Sequence, residues 1–205
     1  MNWQSELTMK YDEQIQQCRD FLVSREVPLS LQVRVYRYLE GRHRMQKRHR
    51  NDNRSFMDSL SGWLQVQLVE HLHKVHICRH PFFKEISSDQ AIRRICVEAK
   101  PMIFANGDPV VEEAHLALCA HFLIHGRLRI DIGGERGTIY LRPPCWIGDK
   151  CLFVDTLRTH TVLAVSRTET LAIMKATIAE VCLEFPEVAP IHNALRQKIL
   201  TSDLE

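Results

Sequence analysis

The apolar positions recur at helical spacing at the front of the chain, crowd into short runs in its middle and return to helical spacing near its end. From Glu6 to Arg44, Ile15, Cys18, Phe21 and Leu22 form one stripe, and Leu31, Val35, Tyr38 and Leu39 form a second. Pro28 separates them. Its fixed φ and missing N–H suit the start of a helix, so the second helix is predicted to begin there. The basic run RHRMQKRHRNDNR follows Gly41 and ends in Asn and Asp residues suited to a turn or a cap. SFMDSLSGWLQVQLVEHLHKVHI then reads as two more helices broken near Gly62. The front of the chain is predicted to be helical, with no strand between its helices.

The pattern changes at Pro101. MIFANGDPVV, HFLIHGRLRIDI, GTIYLR and HTVLAVSRTETLAIM are short, apolar and β-branched, and Asn-Gly, Gly-Gly, Pro-Pro and Arg-Thr punctuate them. This predicts a compact antiparallel roll, entered through the helix DQAIRRICVEA. KATIAEVCLEF predicts one closing helix, Pro186 and Pro190 interrupt, and IHNALRQKIL predicts the last. The expected fold class is α+β: a helical segment over residues 1–80, then a jelly-roll-like antiparallel β-roll with flanking helices over residues 81–205.

Composition narrows the functional classes. The 205 residues are 45% apolar, enough to fill a core, and the net charge of +2 gives no global field to draw the chain onto nucleic acid. The cysteines at 18, 78, 96, 119, 145, 151 and 182 are odd in number and dispersed, without Cys-x-x-Cys or a signal peptide, and read as free thiols in a reducing cytosol. No stretch approaches the ~20 uncharged apolar residues of a membrane helix. LALCAHFLIHG is short and interrupted by His121, so the expectation is a segment that does not itself cross a bilayer, which leaves open that it is cut from a chain that does.

The candidate chemistry lies in CWIGDKCLFVDTLRTHT, Cys145 to Thr161. A glycine followed by an acid and a short helical turn presents backbone N–H groups, and Arg158 can return to the same spot, an arrangement that holds a small phosphate.

The order of elements and several motifs resemble the cytoplasmic C-terminal region of cyclic-nucleotide-gated and hyperpolarisation-activated cation channels, a helical C-linker followed by a cyclic-nucleotide-binding domain. YDEQIQQCRDFLVSREVPLSLQVRVYRYLE is similar to the first two linker helices, HPFFKEIS to the helix that leads into the roll, NGDPVV and HFLIHGRLRI to the first roll strands, and IGDKCLFVDTLRTHTV to the phosphate-binding cassette. The resemblance runs from about Tyr11 to about Leu200. It implies that Gly148 lets the backbone approach a cyclic phosphate, with the N–H groups of Asp149, Lys150 and Cys151 opening a short helix toward it. Asp149 stands where the family has a glutamate bonding the ribose 2′-hydroxyl. Arg158 would contact the exocyclic phosphate oxygens from a loop carrying little core area. Thr159 would reach the phosphate or the purine edge, and Ile130, Ile139 and Leu141 would wall the base. Lys150 replaces an apolar residue of the pattern and His160 a small one; both are expected to tune the site.

The implied ligand is cAMP or cGMP, with no other cofactor. The implied partners are further copies of the same subunit in a tetramer through the C-linker, on the cytoplasmic side of a membrane, and not nucleic acid. The alternative within the family is a homology domain that binds no nucleotide and couples gating structurally. The basic run Arg42–Arg54 offers contacts for anionic lipid headgroups. His71, His73, His76, Cys78 and His80 leave open a third class, a soluble metal or phosphoinositide binder, though without Cys-x-x-Cys or His-Glu-x-x-His spacing. No Gly-x-Ser-x-Gly, Walker loop or paired acid and base supports an enzyme.

Overall fold

The computed structural model describes the backbone of residues 3–48, 57, 60–132 and 137–202, and the side chains of residues 12–37, 39, 40, 57, 60–132 and 137–201. The chain divides into two compact units, residues 1–59 and residues 60–205. The sequence-based division at residue 80 places the helix before it with the first unit. That helix lies in the second.

The first unit contains α1 (Trp3–Ser24) and α2 (Leu29–Arg48). α1 ends in a Schellman turn: Glu26 adopts φ 50, and Val27 N–H reaches back to the Leu22 carbonyl at 3.0 Å. The Pro28 carbonyl accepts from Leu31 and Gln32 N–H and so opens α2, as the sequence predicts. Leu22 is buried, whereas Phe21, Val23, Leu29 and Leu31 stay exposed. The side chains of the basic run Arg42–Arg54, with the lipid contacts expected of them, lie outside the described residues.

The second unit begins with three helices, each started by a side-chain cap. Ser61 caps α3 (Gly62–Ile77), His80 caps α4 (Pro81–Glu85) and Ser88 caps α5 (Asp89–Glu98). The strands β1 (Lys100–Phe104), β2 (Pro109–Val111), β3 (Cys119–His125), β4 (Leu128–Asp131), β5 (Thr138–Leu141), β6 (Cys145–Ile147), β7 (Val162–Ala164) and β8 (Thr168–Met174) form two antiparallel sheets of four strands, ordered β1-β8-β3-β6 and β2-β7-β4-β5. This is the α+β fold with a β-roll that the pattern predicts. α6 (Lys175–Glu184) and α7 (Val188–Ser202) follow. The sequence reading opens the last helix after Pro190, but α7 starts earlier, because the first turn of a helix tolerates a residue without an N–H.

The core is double. Between the helices and one sheet lie Ile77, Phe82, Phe83, Ile92, Ile95, Phe122, Leu171, Ile173, Ile178 and Val181; inside the roll lie Val110, Leu123, Leu128, Ile147, Val162 and Ala164. β3 supplies both clusters from alternate faces, Phe122 to the first and Leu123 to the second, which is why CAHFLIH is nearly continuous in apolar residues. No helix among the described residues is long and apolar enough to cross a membrane.

Candidate functional site

The end of β6 and the segment after it build one wall of a cavity of about 360 Å³ within the roll. Gly148 sits in the left-handed region at φ 65, ψ 29, a conformation costly for residues with a Cβ, and starts a 3-10 helix over Asp149–Leu152. The return segment is pinned by backbone pairing: Arg158 N–H donates to the His115 carbonyl at 2.8 Å, Ala114 N–H to the Arg158 carbonyl at 2.8 Å, and Ala117 N–H to the Thr156 carbonyl at 3.0 Å.

This pairing aims the Arg158 side chain inward. Only 9% of Arg158 is exposed, so it is a buried residue, in contrast to the small core area expected of it from the sequence. Its Nη2 donates to the Cys119 carbonyl on β3, and its Nη1 is buried without a hydrogen-bond partner. The guanidinium lies across the bare face of Gly148, where a Cβ would overlap Nη1 and stand 3.1 Å from Cζ. Glycine is therefore required here twice, for its φ and for the room it leaves.

Gly148, Lys150, Arg158, Thr159, Ile130 and Leu141, all named from the sequence, line the cavity. Asp149, Cys151 and Ile139 do not. Cys151 is fully buried in the helix-side core, where burial pushes its thiol up to about 11. Ile139 lies on the edge strand β5 with 43% of its surface exposed. Thr159 is exposed, and its hydroxyl meets His160 Nδ1 at 3.0 Å.

Asp149 is committed elsewhere. Its Oδ2 lies 3.0 Å from His80 Nε2, and the N–H groups of Asp149 and Lys150 also interact with the carboxylate. The His80 hydrogen bond, foremost among these, holds the carboxyl below its ordinary range against the opposing effect of burial. Cys151 N–H closes the turn onto the Gly148 carbonyl at 3.3 Å. The three backbone donors that the sequence offers to a phosphate thus all have partners within the cassette, whereas among the described residues of the cavity wall the buried donors Arg158 Nη1 and Trp146 Nε1 have none.

Val111, Ala117, Ile147 and Val162 add apolar lining, and Trp146, Thr156, Leu157 and His160 complete the wall. Sequence reasoning named His160 but missed the others, although Trp146 and Ile147 stand directly before Gly148. Such a cavity, apolar over most of its wall with one buried cation at its end, suits a compact anionic ligand with an apolar or aromatic body.

The histidine-rich stretch is spread over separate partners: His73 Nδ1 meets the Cys96 carbonyl at 2.7 Å, the His76 ring lies 5.4 Å from that of Phe122, and His80 bonds Asp149. Among the described residues, no three His, Cys, Asp or Glu side chains are placed to hold a metal ion together.

No protein-family model matches the chain. A stretch of 125 residues is 29% identical to the voltage-gated delayed rectifier potassium channel KCNH5 of Homo sapiens, and the Mus musculus and Rattus norvegicus forms match at the same level. The match covers 60% of this chain and 12% of each relative, so the likeness is to a small part of an ion channel.

Proposed function

We propose that the chain is the cytoplasmic sensing and gating module of a tetrameric cation channel, a binding module and not an enzyme, which takes up cAMP or cGMP in the roll. The observation that carries this reading is Arg158 Nη1, a buried cationic donor without a partner in a cavity otherwise largely apolar. Leaving such a donor unsatisfied is costly, and a cyclic phosphate restores its hydrogen bond while the purine covers the apolar wall. The partial likeness to a voltage-gated potassium channel supports the channel setting.

Coupling would start at the 3-10 helix, which is held from both sides. His80, ahead of α4, bonds Asp149, and His192 on α7 meets the Leu152 carbonyl at 3.0 Å. A nucleotide that prefers one placement of this segment biases α4 and α7 through these bonds. The helical linker would carry the bias to the pore.

A ligand-free coupler is the second reading, favoured by the engagement of Asp149 and the cassette N–H groups with partners inside the protein. Calorimetric titration of cAMP and cGMP into the wild type and Arg158→Gln decides between them. Losing a hydrogen bond to a charged group weakens binding about ten- to hundredfold. No heat of binding from either nucleotide in the wild type would move the coupler to first place.

A further inference from the structure

His80 and Asp149 are 69 positions apart in the chain yet form one unit behind the cavity wall. The His80 ring is fixed on every side. Its Nδ1 accepts the Phe82 N–H at 3.2 Å as the cap of α4, so the proton of the neutral ring resides on Nε2, which donates to Asp149 Oδ2 at 3.0 Å. Phe83 and Trp146 meet the ring edge-on at 5.4 and 5.2 Å, Phe153 stacks on it at 6.1 Å, and only 7% of the residue is exposed. Such a ring cannot follow the carboxylate, so the carboxylate stays with the ring.

The neighbours of Asp149 on both sides, Gly148 and Lys150, line the cavity, while Asp149 itself does not. None of the residues lining the cavity is acidic. The carboxylate that the cassette brings to the rim is therefore withdrawn from it, held by the His80 imidazole and by the N–H groups of Asp149 and Lys150. A carboxylate free at this rim would act on a ligand in two ways, accepting a hydrogen bond from a sugar hydroxyl and repelling a phosphate.

We propose that His80 is a specificity-determining residue: by holding the Asp149 carboxylate outside the cavity, it makes the pocket select a compact phosphate ester by its anion and apolar body, without regard to a sugar hydroxyl. The inference rests on the nucleotide reading above. It assigns to a residue outside the cavity the choice among ligands inside it.

The test compares cAMP with 2′-deoxy-cAMP by calorimetry on the full chain, as wild type and as His80→Asn. Asparagine is a good helix cap and keeps an acceptor for Phe82 N–H, but is too short to span to Asp149. Wild type should bind the two ligands within about twofold of each other, and His80→Asn should prefer the ligand with the 2′-hydroxyl by about tenfold or more, the value of a hydrogen bond to a charged acceptor. A wild type that already prefers cAMP tenfold overturns the proposal and leaves the nucleotide reading standing, as does a folded His80→Asn that keeps parity. A wild type that binds neither ligand overturns both. Imidazole NMR covers the case in which His80→Asn does not fold: a slowly exchanging His80 Nε2 proton that is lost in Asp149→Asn supports the proposal, and its absence from the wild type overturns it.

Discussion

Replacing Gly148 by alanine separates the two demands made on that position. At φ 65 an L-residue costs about 1–2 kcal/mol in the folded state. The new Cβ would also overlap Arg158 Nη1, and because that atom ends a flexible side chain, the clash is relieved by expelling the guanidinium and not by moving backbone. Expulsion breaks the bond to the Cys119 carbonyl and removes the cation from the cavity. Stability should therefore fall by about 1–3 kcal/mol, combining the backbone cost with loss of a charged hydrogen bond partly repaid by rehydration. Cyclic-nucleotide affinity should fall about ten- to hundredfold. Gly137 supplies the control: it has nearly the same φ, 66, but a Cβ there meets nothing within 4 Å. Gly137→Ala should lose only the backbone term and bind as the wild type does. Urea unfolding followed by circular dichroism reads the first quantity, and calorimetry the second. Equal losses for the two alanine variants in both assays, or wild-type affinity in Gly148→Ala, would refute the packing of Arg158 on Gly148.

Other predictions follow from single features of the fold. Gly126, at φ 99, would place a Cβ 2.6 Å from the Arg167 carbonyl and 2.7 Å from Thr168 Cα, backbone atoms that cannot step aside; Gly126→Ala should cost about 3 kcal/mol or more by chemical denaturation, and a loss below 1 kcal/mol would contradict the tight turn between β3 and β4. His121 is 2% exposed, and burial, reinforced by Arg158, pushes its imidazole down from 6.5 to about 4. Between those values the unfolded state binds the extra proton, so stability should fall as pH falls, with a slope of at most about 1.4 kcal/mol per pH unit. His121→Gln should flatten that part of the curve, and an unchanged slope would show that the ring is not held neutral. Phe82 is fully buried and its ring meets those of Phe83, Phe153 and His192 at 5.0, 5.2 and 5.9 Å; Phe82→Ala should cost about 3–5 kcal/mol, seen as a lower midpoint in thermal unfolding.

The order of elements was legible in the sequence because local chemistry writes it there. Helical periodicity marks α1, α2, α3 and α5, β-branched runs between Gly and Asn mark the roll, and Pro28 marks the start of α2. The stretch from Gly148 to Arg158 was legible as a candidate site for the same reason, since a glycine, a short turn and a returning arginine lie within one segment. What each side chain bonds to was not. Only the folded chain sets His80 against Asp149, across 69 positions, and puts the Cys119 carbonyl, 39 positions before Arg158, under its guanidinium. Only the fold turns the cassette N–H groups onto internal acceptors and buries Cys151 in the helix-side core while Gly148 and Lys150 face the cavity. The period of a segment dictates its own hydrogen-bond ladder and its apolar face, whereas the partner of a buried polar atom is chosen by whichever distant group packing brings within about 3 Å of it.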